Sequence, residues 1–121
     1  MTFARPVLIG LRASPFRDAM DGWVRGQGFD TFVTDASRTA VAWARSRPEA
    51  VSFLDQDLER LDGVEVWRVV RPIVSHRLVL MAQQRTRDLW FSALDAGVGS
   101  VLPLPTERDV VLTALRVLGG R

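Results

Sequence analysis

Apolar residues along this chain fall into two patterns that take turns. Short apolar runs stand at residues 6–11 (P-V-L-I-G-L), Val51 to Leu54, residues 78–82 (L-V-L-M-A) and Val101-Leu102, while Phe29 to Thr34 (F-D-T-F-V-T) alternates apolar with polar. Short apolar runs bounded by polar turn residues read as buried strands, and the alternating one reads as a strand at or near a sheet edge. Between them, apolar residues recur at helical spacing. Phe16, Met20, Trp23 and Val24 follow Ser14-Pro15 and end at Gly26 to Gly28. The serine can cap such a helix, and proline suits its first turn. Asp35-Ala36-Ser37 opens a second helix with Ala40, Val41 and Ala44 on one face, ending at Ser46-Arg47-Pro48. Asp62-Gly63 is taken to open a third helix carrying Val66, Val69 and Val70 and stopping at Pro72. After the polar loop Gln83 to Thr86 comes a fourth, with Leu89, Phe91, Ala93, Leu94 and Ala96, closed by Gly97. Thr106 to Leu118 is the fifth, with Val110, Val111, Ala114, Leu115 and Leu118 inward.

Five strand–helix units in strict alternation predict a parallel sheet with helices on both faces and right-handed crossovers. Five units in 121 residues suit one α/β domain spanning residues 1–121, its core at about 5–118, in the flavodoxin-like (βα)5 three-layer arrangement with strand order 2-1-3-4-5.

Composition narrows the chemistry. Without cysteine there is no disulfide framework and no thiolate metal site, and the single histidine, His76, argues against a zinc cluster. No apolar run approaches a membrane span, and M-T-F-A-R-P leads straight into a strand without a signal-peptide core, so a cytoplasmic protein without membrane contact is expected. All 16 basic residues are arginine, and the net charge is only +2. The arginines are scattered among acids, a solvated surface and not a nucleic-acid stripe, so nucleic acid would be contacted only through a separate output domain.

Asp55 ends the third apolar run. An acid there stands at the carboxyl edge of the sheet, where open α/β folds build their sites. Its surroundings resemble a known family. An aspartate ending the third strand, with Asp62-Gly63 seven and eight residues on, and Ala96-Gly97 followed by Pro105, are similar to the receiver domain of bacterial response regulators (CheY-like). The resemblance runs over about residues 5 to 118. It implies that Asp55 occupies the position that takes a phosphoryl group with Mg²⁺, and that Pro105 is a cis-proline candidate.

The resemblance also shows what this chain lacks. The family's metal-binding acidic pair falls on Leu11-Arg12, or on Arg12-Ala13 after a one-residue slip, and no acid occurs between Thr2 and Arg17. The hydroxyl position falls on Ala82, the lysine position on Leu104 and the aromatic switch position on Val101. Asp57 fills the position whose carbonyl helps to bind the metal, and Glu59 replaces a loop proline. Leu11, Arg12, Ala82 and Leu104 are thus degenerate pocket positions around Asp55. Arg12 is expected to pair with Asp55, directly or through water. At about 4 Å such a pair is worth several kcal/mol at an effective dielectric of ~20, before desolvation is subtracted.

The resemblance therefore implies an atypical receiver, or pseudo-receiver, in signalling or transcription control. It would not be an enzyme and would hold no cofactor. It would act through a protein partner or as a homodimer. Mg²⁺ would enter only if Asp55 is a live phosphoacceptor, the first alternative. In the family the surface made by the fourth helix, fifth strand and fifth helix serves dimers and targets. With Phe91, Ala93 and Leu94 inward, Trp90 points outward there, so Trp90 and Val101 are the interface candidates. A second alternative is a small-molecule or nucleotide-binding domain with Arg12 and Arg85 on the ligand, although no Gly-rich phosphate loop supports it. Gly119-Gly120-Arg121 reads as a linker, as in a domain of a longer regulator.

Overall fold

Strand β1 (Arg5–Gly10) lies inside a five-stranded parallel sheet, paired on one side with β2 (Phe29–Thr34) and on the other with β3 (Val51–Asp55). Strands β4 (Leu78–Ala82) and β5 (Ser100–Pro103) follow outward from β3, so the order is β2-β1-β3-β4-β5. The computed structural model describes residues 5–84 and 86–119; Arg85, Gly120 and Arg121, which carried expectations above, lie outside them. The helices are α1 (Pro15–Arg25), α2 (Ser37–Ser46), α3 (Val66–Val74), α4 (Arg87–Asp95) and α5 (Arg108–Gly119). A short 3-10 turn over Ser75–Arg77 leads into β4 and leaves His76 exposed. No described helix is long and apolar enough to cross a membrane.

The continuous apolar runs become the strands buried on both faces. Every residue of β3 and β4 is buried, whereas no residue of the alternating β2 is. Alternate side chains separate the core into two layers. Leu8, Leu54 and Leu80 face α2, α3 and α4, and Ile9, Phe53 and Met81 face α1 and α5. Gly10 marks a close approach of side chain to backbone. A Cβ there would stand 2.5 Å from Leu54 Cδ2. Trp43 stacks on Phe32 of the edge strand at 5.7 Å, and Trp67 is fully buried in the α2–α3 layer.

Two expectations about α3 change. Asp62-Gly63 does not open the helix. Leu61 and Val64 exchange backbone hydrogen bonds of 2.9 Å around the pair, with φ of 52° at Asp62 and 79° at Gly63. Two central residues at positive φ make a type I′ hairpin turn, which Asp-Gly favours. The helix begins at Val66 and does not stop at Pro72 but continues to Val74, which is buried in the core. In the last turn proline's missing N–H removes one intrahelical bond, and burial of Val74 outweighs that loss.

Candidate functional site at the carboxyl edge of the sheet

Loops leaving β1 and β3 meet at the carboxyl edge. Ser14 caps α1 by accepting from the Arg17 amide at 3.0 Å, and Arg17 NH1 donates to the Leu11 carbonyl at 3.0 Å. The turn between them carries Arg12, which is therefore held at both ends. Asp55, only 2% exposed, ends β3. Its Oδ2 accepts from Arg12 Nε at 2.7 Å, and its Oδ1 accepts from the Asp57 backbone N–H at 2.8 Å. Asp57 stands on the solvent side, its carboxylate 3.9 Å from Arg12 NH2. The hydrogen bond to Asp55 and the attraction of its charge raise the Arg12 pKa, outweighing partial desolvation, with Asp57 adding to the effect.

A cavity of about 410 Å³ opens beside this pair. Leu11, Arg12, Asp55, Leu104 and Pro105 all line it, so five of the residues singled out in the sequence come together. The Leu104–Pro105 peptide is cis. Ala82 is buried at the end of β4, where its carbonyl accepts the Leu104 amide at 3.0 Å. The next residue, Gln83, reaches the cavity instead, as does Phe16 from α1. Sequence spacing missed both. Gln83 could have been found as the first polar residue after a buried strand; Phe16 reads from sequence as core.

The donor set does not fit a Mg²⁺ ion. One carboxylate faces the site where a metal site of this kind needs several oxygen ligands, and a guanidinium stands within hydrogen-bond distance of it. No cluster of three or more His, Cys, Asp or Glu able to hold a metal occurs among the described residues. Chemically, the arrangement neutralises a buried acid with a half-exposed cation of the same chain and borders an open, largely apolar cavity.

Trp90 and Val101 sit elsewhere and differ from each other. Val101 is 6% exposed within the core and offers no surface to a partner. Its small side chain is covered in the layer beneath α2, α3 and α4. Trp90 is 42% exposed, as expected, but Phe91 and Leu94 are not inward; they are 51% and 38% exposed. The Trp90 and Phe91 rings lie 5.3 Å apart at a tilt. On α4 only Ala93 is fully buried.

A second polar cluster went unforeseen. Glu65 accepts from Gln56 Nε2 at 3.2 Å, Trp67 Nε1 at 3.1 Å and Arg68 Nε at 2.9 Å. Arg68 lies over the Trp67 ring at 4.3 Å and donates weakly to Ser92 Oγ of α4 at 3.4 Å. Desolvation of the Glu65 carboxyl is outweighed by these donors, and its pKa is lowered.

No protein-family model matches the chain, and no curated protein matches it. Solved structures do, and the class they define is clear: the fold is that of the receiver domains of response regulators, CheY-like in architecture. Among them, the receiver domain of the sensor histidine kinase PA1611 from Pseudomonas aeruginosa PAO1 is similar at a TM-score of 0.81 and 17% identity, over 98% of this chain and 100% of that one. That structure holds a magnesium ion in its active-site cleft. NtrX from Brucella abortus is similar at 0.79 and 20% identity, over 98% of this chain and 28% of the other. A response regulator from Burkholderia pseudomallei with a phosphorylated aspartic acid and a calcium ion is similar at 0.75 and 12%, over 96% and 69%. At these identities the likeness is one of fold.

Proposed function

We propose that this chain is a receiver-like signalling domain whose Asp55 does not accept a phosphoryl group, and which acts by protein contact through the face formed by α4, β5 and α5. The observation that carries the first half is the 2.7 Å contact between Arg12 Nε and Asp55 Oδ2. A guanidinium on the carboxylate competes with the oxygen's role as nucleophile and stands where a metal would have to neutralise the transferring group. Ala82 and Leu104 supply neither hydroxyl nor cation to a phosphoryl group. The second half is supported by the exposed Trp90, Phe91 and Leu94 on α4. An apolar groove between β5 and α5 belongs to the same face, with Leu102, Ala114 and Val117 in its wall. Such a face is the kind that marks an interaction site.

Incubation with acetyl phosphate or a phosphoramidate and Mg²⁺, followed by intact mass measurement, tests the first half. The mass is expected to stay unchanged; a one-phosphate increase that disappears in Asp55→Asn would defeat the reading and make the chain a working phosphoacceptor.

A further inference from the structure

Arginines that are scattered along the sequence are sorted by the fold. In a parallel sheet with a helix after each strand, every strand begins and every helix ends at the amino edge. Four arginines gather there around the entry to β3. Arg5 begins β1, Arg45 lies in the last turn of α2, Arg47 follows that helix and Arg77 precedes β4. Arg5 and Arg77 line one depression of about 220 Å³ with Glu49, which stands between Arg47 and β3.

These arginines differ from those of the opposite edge in what holds them. At the carboxyl edge Arg12, Arg38, Arg68 and Arg108 each stand 3.9 Å or less from a carboxylate. At the amino edge Arg77 NH1 donates to the Glu49 carbonyl at 2.7 Å, Arg47 NH1 to the Ser46 carbonyl at 3.2 Å, and Arg5 NH1 to the Gly119 carbonyl. A carbonyl fixes a guanidinium without cancelling its charge. None of the four forms an ion pair among the described residues. Glu49 and Asp30, the register partner of Pro6, are the acids beside them, so four cations face two acids. The partial negative charge at the end of α2, about half a unit, offsets only part of this excess.

We propose that this edge binds the phosphate backbone of a nucleic-acid duplex without reading its sequence. Arginine's planar fork suits phosphate oxygens. β1 and β4 are two strands apart, which sets the Arg5 and Arg77 backbones roughly 10 Å from each other. That spacing matches the ~6–12 Å widths of the B-DNA grooves, so phosphates on both sides of a groove are within reach. A lipid surface fits less well, because no large exposed apolar residue belongs to β1, α2 or the turn before β4 among the described residues. The contact involves neither Asp55 nor the face of α4.

The test is a titration of the ¹⁵N-labelled chain with duplex DNA of arbitrary sequence, about 20 base pairs long, at about 50 and about 200 mM salt. Saturable shifts are expected at the Arg5, Arg45, Arg47 and Arg77 amides, with affinity falling roughly 40-fold at the higher salt, as for about three neutralised phosphates. Arg45→Gln combined with Arg47→Gln, both exposed, should weaken binding by about tenfold or more at the lower salt. Glu49→Gln should tighten it by about threefold, a gain that loss of folding does not mimic. Arg38→Gln combined with Arg60→Gln, at the carboxyl edge, should leave it within about twofold. The proposal is overturned if nothing saturates below about 1 mM duplex, or if the shifts centre on the carboxyl edge. Affinity independent of salt, undiminished binding by the Arg45/Arg47 variant, or equal binding of polyglutamate or phosphatidylglycerol vesicles overturns it as well.

Discussion

The pair formed by Arg12 and Asp55 is asymmetric: the acid is buried and the arginine half exposed. Removing the arginine strands a buried carboxylate, yet the Asp57 amide stays on Oδ1 and water can enter the vacated place. Arg12→Ala is therefore expected to lower stability by about 1–2 kcal/mol, less than the ~3–5 kcal/mol of a fully buried pair. Urea unfolding at neutral pH measures it, and an unchanged midpoint would show that the pair contributes nothing net. The raised pKa of Arg12 sets the pH window by sign: its contribution is complete below its unfolded value and lost only as pH rises through the folded one. Arginine's unfolded pKa already lies far above neutrality, so no loss from this side appears at working pH. The pairing was legible because spacing puts one cation after β1 and one acid after β3. The second acceptance, from the Asp57 amide, depends on the turn in which the Leu58 amide donates to the Asp55 carbonyl at 3.2 Å, and no residue type announces that geometry.

Helix α3 shows how a correct signal can be attached to the wrong element. Asp-Gly has the same residues whether it precedes a helix or turns a hairpin, and only the mutual bonds of Leu61 and Val64 decide between them. Gly63→Ala tests the turn. At φ 79° with no neighbour within 4 Å of a new Cβ, the cost is backbone alone, about 1–2 kcal/mol, measurable by thermal or urea unfolding. Displacing the helix start to Val66 puts Glu65 at its N-cap position, within reach of Gln56, Trp67 and Arg68, so the cluster could not be foreseen while the start was misplaced. Because the Glu65 pKa is lowered on folding, its charged form adds stability above the unfolded value and loses it as pH falls through the folded one. The stability difference between the native chain and Glu65→Gln should thus be largest near neutrality and shrink below about pH 4. A difference independent of pH would show that the carboxylate's charge does not matter.

For the whole molecule, strand order and helix placement were legible because each buried strand is a run of apolar residues too short to be anything else, and the alternation leaves one sensible topology. The orientation of α4 was not. Apolar residues at 89, 90, 91, 93 and 94 cover more than half the helix circumference, so the sequence alone allows several inward faces. The structure seats Ala93 and leaves Trp90, Phe91 and Leu94 outside. If this face joins two copies, sedimentation of the native chain should show association that rises with concentration. Trp90→Glu combined with Phe91→Ser should abolish it and leave the monomer's unfolding midpoint within about 0.5 kcal/mol, as for surface changes. Association that persists in the double variant would place the contact elsewhere.

The position of β1 between β2 and β3 has a consequence for how the chain assembles as it is made. Once residues up to Asp55 are available, β2, β1 and β3 can pair as a self-contained half-sheet, and β4 and β5 then add one after the other along a single edge. No later strand has to insert between earlier ones. Chain closure over longer loops slows folding, and here each crossover joins neighbours after the first reversal, which keeps the loops short. Growth from the ribosome can therefore proceed outward from β3, with the exposed face of α4 and α5 completed last.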